Sequence, residues 1–216
     1  MDEKKILLLR HGVTDWNAKL RFQGRTDIPL NTEGEAQASS VHSRVMAWKP
    51  EVVMVSPLGR AKRTAQIVTG LPQDALLIVD ELIEISFGNW EGKGLLELKD
   101  DKEYKAWMDS PSSVSVANSE PIGDVMDRVG VVLEKIIETE AERFLLVSHG
   151  GTLRALIAKA LGVPLDAMWK YFAFDNCALS GLTYKKGRFI LKFYNDRLHC
   201  LCNGKSVSEI PLPMGF

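Results

Sequence analysis

Two histidines in this chain each follow a short aliphatic run and precede a glycine. Ile6-Leu7-Leu8-Leu9 leads into Arg10-His11-Gly12, and Phe144-Leu145-Leu146-Val147 leads into Ser148-His149-Gly150-Gly151. A neutral imidazole with one nitrogen held by a carbonyl keeps a lone pair on the other and can act as a nucleophile. Gly12 would let the backbone approach a ligand closely or take a positive φ. Arg60, in Ser56-Pro57-Leu58-Gly59-Arg60-Ala61, again follows an aliphatic run. Arg10 and Arg60 could grip one phosphoryl group, since guanidinium forks match its oxygens and stay charged at any working pH. Glu84, bracketed by Ile83 and Ile85, could donate a proton to a leaving oxygen. Glu81 and Glu91 compete for that role, and position alone does not choose among them. The plainer alternatives are turn histidines and solvated helix arginines, and Lys62 and Arg63 take the second reading.

These residues can meet only if the elements before them end at one edge. Aliphatic runs of four read as buried strands of a parallel sheet, and in open α/β folds ligands bind at the carboxyl ends of such strands. Strand-like runs at 6–9, 52–55, 76–79 and 144–148 alternate with helical stretches, which predicts an α/β fold with three layers. A mainly parallel central sheet carries helices on both faces. Helices are expected over 14–19, 32–48, 57–69, 95–109, 122–140 and 151–161. Thr32 with Glu35 reads as a capping box, and Ser56-Pro57 as a cap followed by a first-turn proline. Residues 20–30, 80–93 and 110–119 read as loops. Residues 178–184 and 188–194, joined through Lys186-Gly187, read as a hairpin at a sheet edge.

The bulk numbers bound the function class. The chain has 216 residues and a net charge of −1, so no global field draws it to nucleic acid or to an anionic membrane surface. No apolar run reaches the roughly 20 residues that span a bilayer, and Met1 to Lys5 enters the first strand without a secretory signal. Cys177, Cys200 and Cys202 suit free thiols in a reducing cytoplasm better than a disulfide or zinc framework. No metal-ligand cluster, Walker loop or dinucleotide fingerprint appears.

The ordered set of motifs resembles the histidine phosphatase superfamily, the group that holds the cofactor-dependent phosphoglycerate mutases and their phosphatase relatives. The resemblance runs through Leu9-Arg10-His11-Gly12 with Trp16-Asn17, then Arg21-Phe22-Gln23-Gly24, Leu30-x-x-x-Gly34 and Ser56-Pro57-Leu58-x-Arg60-Ala61-x-Arg63-Thr64-Ala65. It continues in Leu82-x-Glu84-x-x-Phe87-Gly88-x-Trp90-Glu91-Gly92, Val147-Ser148-His149-Gly150-Gly151 and Asn195-Asp196-x-x-His199. It implies that His11 becomes a phosphohistidine and that Arg10, Arg60 and His149 complete the phosphoryl pocket. Asn17 and Gly150 would contact its oxygens, Gln23 and Gly24 would lie at the substrate edge, and Glu84 would be the proton donor. It implies no metal and no cofactor. Val13 departs from the Glu or Gln common there, and Gly123-Asp124-Val125 departs from the family's Gly-Glu-Ser, so contacts made there are not carried over.

Residues 1–203 are expected to form one domain, with an insert at about 94–120 covering the site and a loose tail at 204–216. The stretch between Glu84 and His149 is shorter than in the mutases, so an exposed phosphohistidine should meet water. The resemblance therefore implies a phosphomonoesterase acting on a small phosphate ester, closest in look to α-ribazole phosphatase and broad-specificity members. The alternatives are a phosphoglycerate mutase and an inactive phospho-ligand binder. The edge hairpin could pair with a second copy to give a homodimer.

Overall fold

A computed structural model describes residues 3–201 and 212. The expected tail and Cys202 therefore lie outside the described residues, Leu212 apart. In chain order the elements are β1 (Lys4–Arg10), α1 (Asp15–Ala18), α2 (Thr32–Trp48), β2 (Val52–Val55) and α3 (Gly59–Thr69). Then come β3 (Leu77–Ile78), α4 (Leu95–Leu98), α5 (Lys102–Asp109), α6 (Ile122–Glu138), β4 (Arg143–Ser148) and α7 (Gly150–Leu161). The chain closes with α8 (Met168–Tyr171), β5 (Leu179–Lys185), β6 (Arg188–Asp196) and α9 (Leu198–Leu201).

The six strands form one sheet in the order β3-β2-β4-β1-β5-β6. β1, β2, β3 and β4 run parallel, while β5 enters antiparallel to β1 and turns back as β6. Alternation along β1 builds the two cores, because successive side chains leave opposite faces. Ile6 and Leu8 pack with α6 and α7 residues such as Val129, Leu133 and Leu156. Leu7 and Leu9 pack with Val41, Val45, Ala61 and Ala65 of α2 and α3. The three-layer α/β fold is thus the one expected. No described helix is long and apolar enough to cross a membrane.

Several element ends differ from expectation, for reasons of side-chain reach. Asn31, not Thr32, caps α2, its side chain accepting from Gly34 N at 2.9 Å. Glu35 faces Arg63 instead of closing a capping box. Helix α3 starts at Gly59 rather than at Pro57, and its first amide is taken by Asp27 Oδ2 at 2.6 Å. A cap supplied from 32 residues away leaves no local signal. The 95–109 helix is two helices, because Asp101 accepts from Tyr104 N and starts a new one.

Gly12 keeps a negative φ, and what it approaches is protein rather than a ligand. A Cβ there would lie 2.4 Å from Gly34 O, and a Cβ on Gly34 would lie 2.1 Å from Val13 O. Two backbones therefore touch where α2 begins, which fixes α2 against the turn that carries His11.

Candidate active site

The carboxyl ends of β1, β2 and β4 deliver Arg10, His11, Ser56 and His149 to one edge. Registers pair Arg10 with Ser148 and Val55 with Val147, so the two His-Gly turns emerge side by side. The ring centroids of His11 and His149 are 5.1 Å apart. A cleft of about 390 Å³ opens over them. Arg10, His11, Asn17, Gln23, Gly24, Arg60, Glu84 and Gly150 all line it, and His149 is fully buried behind.

Hydrogen bonds fix both tautomers. His11 Nδ1 lies 2.7 Å from Gly12 O; a carbonyl only accepts, so Nδ1 carries the proton and Nε2 keeps the lone pair. His149 is the reverse case. Arg60 Nε donates to its Nδ1 at 3.2 Å, so the ring proton sits on Nε2 and is given to Ser56 Oγ at 2.6 Å. Both nitrogens of His149 are thereby engaged within the protein. Burial, with the charges of Arg60 and Arg10 beside it, holds the His11 ring well below the usual histidine range. Burial and Arg60 do the same for His149.

The arginines divide the work. Arg60 is pinned: Nη1 donates to Thr26 O at 2.8 Å and Nη2 to Gly24 O at 2.7 Å. Arg10 is freer, donating through Nη1 to Phe174 O, while its buried Nε has no protein partner. An unpaired buried N–H is costly, so this group is built to meet an acceptor that enters the cleft. Burial lowers Arg10 to about 10, which leaves it cationic at neutral pH. Gln23 Oε1 is likewise buried and unpartnered. Asn17 closes the capping box of α1 with Thr14, its Oδ1 accepting from Thr14 N at 3.2 Å.

Glu84 has the apolar flank expected on one side only. On the other its carboxylate meets the amide end of α7. Oε1 accepts from Ile85 N, Thr152 N and Thr152 Oγ1, and Oε2 accepts from Gly151 N at 3.1 Å. A Cβ on Gly151 would stand 2.7 Å from Glu84 Oε1, so only glycine admits the carboxylate here. Its two competitors are spent elsewhere. Glu91 staples a loop by accepting from Arg25 N, Thr26 N and Phe87 N, and Glu81 pairs with Lys135.

Arg154, Trp169 and Asn176 are among the lining residues that the sequence does not single out. Arg154, one turn into α7, stacks on Trp169 with its guanidinium 5.1 Å from the ring centroid and gives Nε to Phe172 O. Like Arg60, it lies near the start of a helix that follows a strand, and that likeness is the available signal. Asn176 donates Nδ2 to His11 O and to Asn17 Oδ1. No local pattern marks it. Among the described residues no group of three His, Cys, Asp or Glu is placed to hold a metal ion.

The fold agrees with the comparisons. The model of the histidine phosphatase superfamily, branch 1, matches residues 6–197. The chain belongs to that family. It is 31% identical over 196 residues to the adenosylcobalamin/α-ribazole phosphatase of Escherichia coli K12, covering 89% of this chain and 96% of that protein. It is also 31% identical over 189 residues to GpmB of Salmonella paratyphi C, a probable phosphoglycerate mutase, covering 86% and 87%. The crystal structure of an Entamoeba histolytica phosphoserine phosphatase with 3-phosphoglyceric acid superposes with a TM-score of 0.81 and 28% identity, covering 91% and 98%.

Burial of neutral histidines sets an acid limit on this family member's stability. A free histidine takes its proton near pH 6.5. His11 and His149 resist it well below that, and burial lowers His199 to about 4. Between these values the unfolded chain binds more protons, so stability is full above about pH 6.5 and falls as pH drops. His199 alone accounts for roughly 3 kcal/mol across that window. Urea midpoints measured from pH 7 to pH 5, above most carboxylate titrations, should fall steadily; a flat profile would show that these rings take up protons in the folded state.

Proposed function

We propose that the protein is a phosphomonoesterase that works through a phosphohistidine on His11. What carries this reading is the pinned Nδ1 of His11, which leaves Nε2 bare in a cleft that also holds Arg10, Arg60 and Glu84. Nε2 attacks phosphorus as the ester P–O bond breaks, and the leaving oxygen takes a proton from Glu84 in its acid form. Oε2, with one backbone partner, is the oxygen free to carry that proton. Glu84 then accepts a proton from water, whose oxygen attacks the phosphohistidine; the P–N bond breaks and its electron pair returns to Nε2. Arg10 Nε and the remaining N–H groups of Arg60 meet the equatorial oxygens. Asn17 and Gly150 border the same oxygens, and His149 holds Arg60 Nε in place behind them.

The rest of the cleft speaks to the alcohol half of the ester. Phe22, Phe87, Leu95, Tyr104, Met108 and Trp169 give the cleft an apolar wall, with Trp169 beneath the guanidinium of Arg154. Such a wall suits an aromatic or apolar alcohol better than a glycerate. The relative that acts on α-ribazole phosphate supports an ester of that kind, and that compound is the substrate we put first. Leu95, Tyr104 and Met108 come from the 94–120 segment, which on this reading is the cover over the site.

A panel of esters tests both parts: α-ribazole phosphate, phenyl phosphate, phosphoserine and 3-phosphoglycerate, with phosphate release measured for each. Release from the aromatic esters should exceed that from the carboxylated ones by about tenfold or more in kcat/KM. Interconversion of 2- and 3-phosphoglycerate without phosphate release would make the chain a mutase instead.

A further inference from the structure

The Tyr194-Asn195-Asp196-x-x-His199 stretch lies outside the cleft, yet three of its side chains grip one loop, residues 172–177, just before β5. Tyr194 Oη donates to Ala173 O. Asn195 holds Asp175 twice, its Oδ1 accepting from Asp175 N at 2.8 Å and its Nδ2 donating to Asp175 Oδ2 at 3.1 Å. Asn195 sits at φ +53°, a conformation that turns its side chain back toward the loop. His199 receives Arg44 Nη1 on Nδ1 at 2.8 Å, so its proton is on Nε2 and goes to Cys177 O at 2.8 Å. Arg44 is itself held by Asp196 at 2.5 Å.

On its other side the same loop holds the reactive groups. Phe174 O takes Arg10 Nη1, and Phe172 O takes Arg154 Nε at 2.6 Å. Asn176 Nδ2 donates to His11 O at 2.9 Å, and Cys177 N donates to Arg10 O at 3.1 Å. Every hydrogen bond named here between the C-terminal grip and the cleft passes through these six residues.

We infer that Tyr194, Asn195 and His199 are positioning residues for phosphoryl transfer, setting Arg10, Arg154 and His11 through the 172–177 loop. The inference rests on the proposed phosphohistidine reaction. Arg10 offers its unpaired Nε from a guanidinium whose place is fixed by Phe174 O, so a shift of that carbonyl moves the donor off the phosphoryl oxygens. Misplacing a reacting or stabilising group by about 1 Å can cost about 100-fold in rate.

The test is Asn195→Gly. Glycine takes φ +53° without strain, so the fold is kept while both bonds to Asp175 are lost. Thermal midpoint, affinity for orthovanadate by calorimetry, and kcat and KM for phenyl phosphate are measured on the full chain. We expect a midpoint within a few degrees of the parent, orthovanadate bound about tenfold more weakly and kcat/KM lowered by about tenfold or more. Tyr194→Phe should move the same quantities in the same direction by less. A folded Asn195→Gly that binds orthovanadate and turns over like the parent overturns the inference. So does a loss of activity that follows the folded fraction while orthovanadate affinity stays unchanged. If the parent itself releases no phosphate, the reaction is wrong, and the orthovanadate comparison still decides whether the loop sets the arginines.

Discussion

His11→Ala should abolish turnover and, with it, any acid-labile, base-stable phosphate on the protein after brief exposure to an ester. The loss should be roughly 10³-fold or more, because a missing nucleophile leaves only binding and charge stabilisation. The fold should survive: the one side-chain hydrogen bond of His11 goes to the carbonyl of its own neighbour, Gly12. Trapping of the phosphoprotein in acid-quenched samples checks this. His149 is poorly placed to stand in, since it is fully buried and both its nitrogens are engaged by Ser56 and Arg60. Label that persists in His11→Ala would therefore mean a nucleophile outside this pair.

Glu84→Gln should separate the two half-reactions. Positioned proton donors contribute about 10²- to 10⁴-fold, and most where the leaving oxygen is basic. Alkyl phosphates should thus lose about that factor in kcat/KM. 4-Nitrophenyl phosphate, whose leaving oxygen needs no proton, should still phosphorylate His11 at nearly the parent rate. Water would then attack slowly for want of a base, so the variant should release a burst of nitrophenol and accumulate labelled protein. Equal losses for alkyl and aryl esters, without a burst, would remove Glu84 from the role of acid and base. Glutamine keeps the volume but not the acceptors. Its amide cannot take Gly151 N–H and the Thr152 donors together, so a modest loss of stability, about 1–3 kcal/mol, should accompany the kinetic effect.

The parts of this site that were legible in the sequence are those written into contiguous residues. An aliphatic run followed by His-Gly predicts a buried strand with a polar end, and β1 and β4 both behave so. Arg60 could be placed because a strand and the start of a helix fix its height above the sheet. Glu84 was legible only as one of three carboxylates until the family resemblance singled it out. The groups that hold its carboxylate in the cleft, the amides of Gly151 and Thr152, lie 67 and 68 residues away. Asn176 and the amide cap that Asp27 gives α3 depend on distant segments meeting. Periodicity and capping rules describe neighbours along the chain and have no access to such contacts. Gly12 shows the same limit: the sequence offers it as a glycine that approaches a ligand or takes a positive φ, whereas what it approaches is the Gly34 backbone.

The position of β1 in the sheet has a consequence for how the protein is made. Its two neighbours are β4 and β5, which begin at residues 143 and 179. The strand that carries His11 is made before both of its partners, and it cannot pair on either side until residue 143 and beyond have followed. Such sequence-distant pairing slows folding and leaves Ile6 to Leu9 as an unpaired apolar segment meanwhile. The loop that holds Arg10, residues 172–177, emerges between β4 and β5. A nascent chain therefore carries His11 well before the segments that surround it in the fold.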